Sequence, residues 1–365
     1  MALSLNWDQL SDSMVDKRIQ SYQLLEELGR GTYGCLFLGQ SLVDNHYVAI
    51  KVLSKRGLDP TQLQLQQLEL DIQHQLNHPY LLGLEDVVHE EDFIYMIMEL
   101  CDGGDLFEYV IQNPEREDAT IKAFFVQILE AIEYLHGHGI YHRDIKLENI
   151  LLSSQDTCKV ADFGLATRDR FSFEFGCGST TYLGPEHFAT DEDEQDGFDA
   201  YDAAASDIWS LGILLLALLF GKNPWNEATE EDMGFAEFKR NPAYLAHSLF
   251  PRLSHECTRF LLDHVLCVNP LDRCDIQTMK ETFMNLSQLT VMPVDIIPVS
   301  HHSTKASYDS AYFSQETVGL SWSDMVEQDL EEEEDDYDED DDDFEHLTED
   351  EELFIHSQEK ESWWL

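Results

Sequence analysis

Three polar residues in the middle of the chain have the types and spacing for chemistry on a phosphoryl group. Asp144 and Asn149 stand five positions apart, and Asp162 follows directly before a Phe-Gly pair. A carboxylate can orient an alcohol for attack, while an amide oxygen and a second carboxylate are the hard ligands that divalent cations prefer. The three groups together therefore suit transfer of a phosphoryl group to an alcohol.

The stretch His-Arg-Asp-Ile-Lys-Leu-Glu-Asn at 142–149, followed by Asp-Phe-Gly, resembles the catalytic loop and metal-binding turn of protein kinases. The resemblance implies that Asp144 orients the substrate hydroxyl and that Lys146 neutralises the transferring phosphoryl group. It implies further that Asn149 and Asp162 hold Mg²⁺ beside ATP. A lysine at position 146 is typical of Ser/Thr rather than Tyr kinases, and His142 is expected to be structural.

A glycine-rich stretch near the start of the chain contains Gly29, Gly31 and Gly34 between two predicted strands. This pattern alone is weak evidence, and an ordinary hairpin turn is the plain alternative. A dinucleotide-binding fold would place a helix after it. Since a second strand follows, the pattern favours a flap whose backbone approaches ATP phosphates.

Lys51 lies in the next predicted strand, 46–53. A lysine in a strand is usually a solvated edge residue, but its position after the flap resembles that of the phosphate-binding lysine of protein kinases. The expected partner is Glu69 on the following helix, and Asp71 is the less favoured candidate.

That helix is predicted to begin with Asp59 as N-cap and Pro60 as its first residue. Its apolar stripe is predicted at Leu65, Leu68, Ile72 and Leu76. Gln73 stands where protein kinases usually have an apolar residue, which leaves the resting position of the helix open.

The predicted strand 93–98 leads into a segment that resembles the hinge of protein kinases. The resemblance places Met98 as the gatekeeper and Glu99 and Cys101 at the adenine. Asp105 corresponds to a position that binds ribose or a substrate arginine, although a Gly-Gly-Asp is otherwise a helix N-cap, and the two roles are compatible. The same resemblance assigns four apolar residues to the nucleotide site: Leu28, Leu36, Ala49 and Leu151.

The segment 162–186 resembles an activation segment. Arg143 precedes Asp144, an arrangement that in many kinases receives a loop phosphate, but Phe175 occupies the usual phosphothreonine position. Either Glu174 supplies a standing negative charge, or Ser172 or another hydroxyl does so when modified. We favour activity without upstream phosphorylation.

Three contacts within the large lobe are also implied by the resemblance. Ser179 should contact the catalytic Asp and Lys, and Glu186 should pair with Arg273. Asp207 should accept backbone N–H bonds from the catalytic loop. Two further stretches, 177–186 and 220–226, are similar to fungal kinases of the meiosis-inhibiting Pat type and their nutrient-signalling relatives, which implies a role in nutrient, cell-cycle or meiosis signalling.

Charge narrows the possible partners. The formal net charge is −51, and the segment 286–365 carries 25 acidic residues against two lysines. Nucleic acid is excluded as a main partner because phosphate binding needs clustered cations. A basic protein substrate is favoured: Asp105 and Glu148 match positions that receive basic residues upstream of the target, while Ala217 stands where the most arginine-selective kinases have another Glu.

The cysteines, the N-terminal residues and the longest apolar run bear on the cellular compartment of the protein. Seven cysteines without framework spacing are typical of free thiols in a reducing compartment, and no signal peptide is recognised at the start. The longest apolar run, 213–220, is too short to span a bilayer and is predicted to be a buried helix. We expect a cytoplasmic or nuclear protein with no membrane span.

The predicted fold is α+β: a bilobal protein kinase fold with a small antiparallel sheet lobe plus one helix and a larger, mainly helical lobe. The predicted parts are an arm at 1–20, a kinase domain at 21–285 divided after residue 100, and an acidic, disordered tail at 286–365 whose apolar islands are candidate docking motifs for regulators. The alternatives are a nucleotide-binding scaffold without turnover and, less favoured, a small-molecule kinase. Retention of Lys51, Asp144 and Asp162 argues against the scaffold.

Overall fold

A computed structural model describes residues 7–31, 34–153, 157–188 and 200–291. The chain divides into two units, Met1–Pro293 with His356–Leu365, and Val294–Ile355. The second unit lies outside the described residues. So do the acidic stretch at 191–196 and nearly all of the predicted tail.

The small lobe is built on a six-stranded sheet in the order β1-β2-β3-β4-β6-β5, in which every pair of neighbours is antiparallel. Its strands are β1 (Arg18–Ile19), β2 (Tyr22–Gly31), β3 (Gly34–Ser41), β4 (Tyr47–Ser54), β5 (Leu84–His89) and β6 (Phe93–Glu99). Helix α1 (Trp7–Met14) precedes the sheet, and α2 (Pro60–Gln75) lies between β4 and β5.

Helix α2 begins where it was predicted. The Asp59 side chain accepts from the backbone N–H of Gln62, and the Gln62 side chain accepts from the backbone N–H of Asp59, which closes a capping box. The predicted stripe is wrong at Leu65, which is 47% exposed. The buried face carries three polar residues instead, Gln66, Glu69 and Gln73, because it faces the charged centre of the molecule as well as the apolar core.

The large lobe is mainly helical. Its helices are α3 (Leu106–Gln112), α4 (Asp118–Gly137), α5 (Ala203–Phe220), α6 (Met233–Arg240), α7 (His255–Phe260) and α8 (Ile276–Met284). Two short antiparallel pairs of strands complete it: β7 (Ile150–Leu152) with β8 (Cys158–Val160), and β9 (Phe171–Ser172) with β10 (Tyr201–Asp202). The two-lobed α+β arrangement predicted from the sequence is confirmed.

Helix α5 is the core helix of this lobe. By length and composition it could span a bilayer, but 78% of it is buried inside the protein. Side chains around its whole circumference are buried, as expected for a helix that is apolar on every face. This confirms the predicted buried helix.

Two expectations at the ends of the kinase-like region are wrong. Residues 7–19 are not a lightly ordered arm, since α1 and β1 pack on the sheet and bury Met14 and Ile19. At the other end the packed structure continues past 285. Leu289 is buried, and the Asp118 carboxylate accepts from the backbone N–H groups of Leu289 and Thr290.

Candidate active site

Lys51 lies at the centre of the site, on the buried strand β4. Its Nζ is 2.7 Å from Oε1 of Glu69 on α2 and 3.8 Å from Oδ1 of Asp162. Burial alone would lower the pKa of Lys51, but the two carboxylates outweigh burial and raise it, so the ammonium stays charged. The predicted Lys51–Glu69 pair is confirmed, and α2 is therefore drawn in against the sheet.

An apolar cluster lies beside this ion pair. It contains Leu36, Ala49, Leu82, Met98, Leu151 and Ala161, with Leu84, Leu100 and Cys101 partly buried against it. The predicted nucleotide residues on β3, β4 and β7 therefore meet in one apolar site. Met98 and Gln73 line its inner end, and the Gln73 amide lies 3.5 Å from the carbonyl oxygen of Leu82. Gln73 thus does not displace α2.

The hinge segment is held by side-chain contacts. Oε1 of Glu99 accepts from the backbone N–H of Gly83 at 2.6 Å and from Nζ of Lys159 at 2.8 Å. Burial raises the pKa of the Cys101 thiol to about 12. That thiol therefore stays protonated and contributes to the site as a small apolar group.

The glycine-rich flap is formed by β2 and β3, with Gly29 opposite Leu36 and Gly31 opposite Gly34. Leu28 is exposed at its base. A Cβ added to Gly34 would lie 2.1 Å from the carbonyl oxygen of Val52 on β4. A side chain at position 34 would therefore clash with β4, in addition to hindering the approach of a phosphate group to the backbone. The clash with β4 could not be predicted without the pairing of β3 with β4.

The catalytic loop brings four predicted groups together. Oδ1 of Asp144 accepts from both the backbone N–H and the hydroxyl of Ser179 at 3.0 Å. Nζ of Lys146 donates to the Ser179 hydroxyl at 2.9 Å and lies 3.3 Å from Oδ2 of Asp144. The Asn149 amide donates to Oδ2 of Asp144 at 3.0 Å. The predicted Ser179 contacts are confirmed.

The loop is fixed from below by Asp207 of α5, as predicted. Its carboxylate accepts from the backbone N–H groups of His142 and Arg143 at 2.9 and 2.8 Å. The His142 ring packs 5.5 Å from the Phe163 ring and contacts the Ala161 carbonyl oxygen at 3.0 Å, which confirms its structural role.

One residue of the catalytic loop and one residue of the Asp-Phe-Gly turn have a strained backbone conformation. Arg143 and Asp162 have φ of +66° and +60°, which non-glycine residues seldom adopt. The buried contacts of the loop hold both residues in place. Strain of this kind typically occurs at functional sites.

Asn149 and Asp162 fit the metal role that the sequence suggested. A backbone bond from the Ala161 N–H to the Asn149 carbonyl oxygen places the two residues side by side. Because the Asn149 amide nitrogen donates to Asp144, its amide oxygen is available to a cation. In the described parts of the chain no cluster of three or more His, Cys, Asp or Glu residues could hold a metal alone. Two oxygen ligands suit Mg²⁺, which completes its shell with water and phosphate oxygens.

The activation segment is tied to the loop through Arg143. Its Nη1 donates to Oε2 of Glu174 at 2.6 Å and to the Ser172 hydroxyl at 3.2 Å, and its Nε donates to the Leu165 carbonyl oxygen. The Phe175 ring packs 5.4 Å from the ring of Tyr201 on β10. Of the two alternatives left by the sequence, the Glu174 contact is present without any modification.

The end of the activation segment is anchored by a buried ion pair. Arg273 makes a two-pronged contact with the Glu186 carboxylate, each bond 2.7 Å long, as predicted. Burial would raise the pKa of Glu186, but Arg273 outweighs burial and lowers it. A Cβ at Gly184 would lie within 2.4 Å of the Glu186 carboxylate, which explains the glycine at this position.

Asp105 caps α3, since its carboxylate accepts from the backbone N–H of Glu108 at 2.8 Å. Glu148 lies close enough for its charge to interact with that of Asp105, and burial raises the pKa of both carboxyl groups. Oε2 of Glu148 is buried and has no hydrogen-bond partner among the described protein groups. The cap role of Asp105 is confirmed.

A sequence model of the protein kinase domain matches residues 22–284. This chain belongs to the protein kinase family. The kinase is 33% identical over 289 residues to the negative regulator of sexual conjugation and meiosis of Schizosaccharomyces pombe, an alignment that covers 74% of this chain and 61% of that relative. The resemblance to fungal kinases of the meiosis-inhibiting type is thus confirmed.

Two further relatives are named as kinases. Serine/threonine-protein kinase ksp1 of Schizosaccharomyces pombe is 37% identical over 272 residues, covering 70% of this chain and 54% of the relative. The carbon catabolite-derepressing protein kinase of Candida tropicalis is 33% identical over 267 residues, covering 72% and 41%. The kinase thus aligns with less than two thirds of the length of these curated relatives.

Proposed function

We propose that this kinase phosphorylates Ser and Thr residues of protein substrates with ATP as the donor. The observation that carries the proposal is the charged cluster of Lys51, Glu69 and Asp162, with the Lys51 ammonium 2.7 Å from one carboxylate and 3.8 Å from the other. The name of the relative ksp1 and the lysine at position 146 support Ser/Thr rather than Tyr as the target.

Each group of residues in the site has a separate role in phosphoryl transfer. Lys51, positioned by Glu69, binds ATP phosphates beneath the glycine-rich flap, while the apolar cluster and the hinge hold adenine. Asn149 and Asp162 would hold Mg²⁺, which neutralises charge on the phosphates when bound. Asp144 orients the target hydroxyl and accepts its proton. Lys146, 3.3 Å from Asp144, stabilises the negative charge that develops during transfer.

The test is transfer of labelled phosphate from ATP and Mg²⁺ to a basic generic substrate by the wild type and by Asp144→Asn. Removing the base should lower turnover about 10²–10⁴-fold. Binding of a fluorescent ATP analogue should be unchanged, because Asp144 lies on the substrate side. Binding by both proteins with turnover by neither would overturn the proposal in favour of a scaffold.

The site supports selectivity for substrates that carry a basic residue upstream of the target Ser or Thr. The unpaired, buried Oε2 of Glu148 and the neighbouring charge of Asp105 would both be stabilised by a guanidinium group. A peptide array should show a modest preference for Arg or Lys a few positions before the Ser or Thr, and Glu148→Gln should weaken it. Equal use of peptides with and without a basic residue would refute this selectivity.

We infer in addition that the kinase is active without upstream phosphorylation, since Glu174 already faces Arg143. We place it in fungal nutrient, cell-cycle or meiosis signalling, supported by the names of two relatives. Its cytoplasmic or nuclear location and the docking role of the acidic tail stay predictions from the sequence.

A further inference from the structure

Helix α1 and strand β1 lie ahead of the region that matches the kinase family, which begins at residue 22. They cover the outer face of the small lobe. Met14 and Ile19 are buried in one cluster with Cys35 and Phe37 of β3. This segment is therefore part of the small lobe, and its packing places α1 over the base of the glycine-rich flap.

One end of the segment is fixed to the far side of the sheet. Nζ of Lys17 donates to Oε2 of Glu90 at 2.7 Å and to the Tyr95 hydroxyl at 2.6 Å. The ammonium also lies 5.1 Å from the centre of the Tyr95 ring. These contacts attach the segment to β6 and to the turn between β5 and β6, well away from the flap.

The other end contacts the flap itself through Arg30, the residue between Gly29 and Gly31. Nη2 of Arg30 donates to the Ser11 hydroxyl at 2.9 Å, and its Nε and Nη2 donate to the two carboxylate oxygens of Glu27 at 2.7 and 2.8 Å. Ser11 is fully buried and also hydrogen-bonds to Glu27. Helix α1, strand β2 and the flap thus share one polar cluster.

We propose that α1 fixes the base of the glycine-rich flap through the Ser11–Glu27–Arg30 cluster and thereby sets the affinity of the kinase for ATP. The three glycines make the flap conformationally free, so its position over the phosphates depends on what holds its base. These are positioning residues, since none of them touches the reacting groups. The inference rests on the proposed function, because it requires that ATP binds beneath the flap.

The test compares Ser11→Ala with Ser13→Ala. Ser13 lies on the same helix and is exposed, and among the described residues it donates only to the Leu10 carbonyl oxygen of α1, so it is a matched control. Ser11→Ala should raise KM for ATP and Kd for a fluorescent ADP analogue about three- to tenfold, which corresponds to the net contribution of one ordinary hydrogen bond. The kcat and the KM for peptide should stay unchanged, and Ser13→Ala should behave as wild type.

Arg30→Ala provides the second variant, because the Arg30 side chain is 34% exposed and its removal leaves no hole in α1. The double variant Ser11→Ala/Arg30→Ala should lose less nucleotide affinity than the two single variants lose together, since both changes remove the hydrogen bond between Ser11 and Arg30. Nucleotide affinity of Ser11→Ala and Arg30→Ala equal to that of Ser13→Ala would overturn the inference, even if their Tm fell. A wild type that binds no nucleotide would instead refute the proposed function.

Discussion

Replacing Glu174 by glutamine removes the negative charge that faces Arg143 while it keeps the size of the side chain. The Arg143 side chain is 5% exposed and contacts the activation segment at Glu174 and Ser172. Arg143 directly precedes Asp144, so the order of the segment and the geometry of the catalytic loop are linked through this one guanidinium group. The variant should therefore lower activity without touching a residue that binds ATP.

The size of the effect follows from the burial of the two partners. Glu174 is 59% exposed, so solvent screens the pair, and an exposed ion pair is worth about 0.2–1 kcal/mol. Because Arg143 is buried and the N–O distance is 2.6 Å, we take the upper end, about 1 kcal/mol. If the segment must be ordered for catalysis, this lowers the ratio of ordered to disordered segment roughly fivefold, which sets the upper limit of the loss of activity.

The assay measures kcat/KM for peptide with phosphatase-treated wild type, Glu174→Gln and Ser172→Ala. Treated wild type should keep its activity, Glu174→Gln should lose up to about fivefold, and Ser172→Ala, which removes the weaker 3.2 Å contact, should lose less. Loss of wild-type activity after phosphatase treatment, together with an unchanged Glu174→Gln variant, would refute the reasoning and make a modified hydroxyl the partner of Arg143.

Two further predictions concern stability. Glu186→Ala should destabilise the kinase by about 3–5 kcal/mol in urea unfolding, because it leaves the fully buried Arg273 guanidinium without its carboxylate; a loss below about 1 kcal/mol would contradict this. The pKa of His46 is raised by its hydrogen bonds to Asp44 and Glu85, so its contribution to stability is complete below its unfolded pKa of 6.5 and is lost as the pH rises through the folded value. The difference in Tm between wild type and His46→Gln should therefore decrease as the pH is raised. A difference that increases with pH would contradict a raised pKa for His46.

The sequence predicted best those elements whose signals are local. The apolar residues of α4 recur with helical spacing over about four turns, and seven of them are buried: Ile121, Phe124, Phe125, Ile128, Leu129, Ile132 and Leu135. The N-cap of α2 depends only on Asp59 and its neighbours. The pairs Lys51–Glu69 and Glu186–Arg273 were found through the family resemblance, since nothing local in the sequence links residues so far apart.

What the sequence could not predict depends on contacts between distant segments. The arm at 7–19 is too short and too polar to suggest a packed element, and it is stable only because the outer face of the sheet covers Met14 and Ile19. Whether Glu174 or Ser172 contacts Arg143 depends on the backbone path of the whole activation segment, which the sequence does not show.

The composition of the buried face of α2 explains why the sequence alone did not predict the resting position of this helix. Its buried face combines Leu70 and Ile72 with Gln66, Glu69 and Gln73, so periodicity of apolar residues gives a weak and partly wrong stripe. A helix with so mixed a face gains little from apolar burial alone, and the 2.7 Å bond between Lys51 and Glu69 is a specific contact that fixes where the helix lies against the sheet. The position of α2 is thus set by the same ion pair that would position ATP, which couples the order of the small lobe to the chemistry of the site.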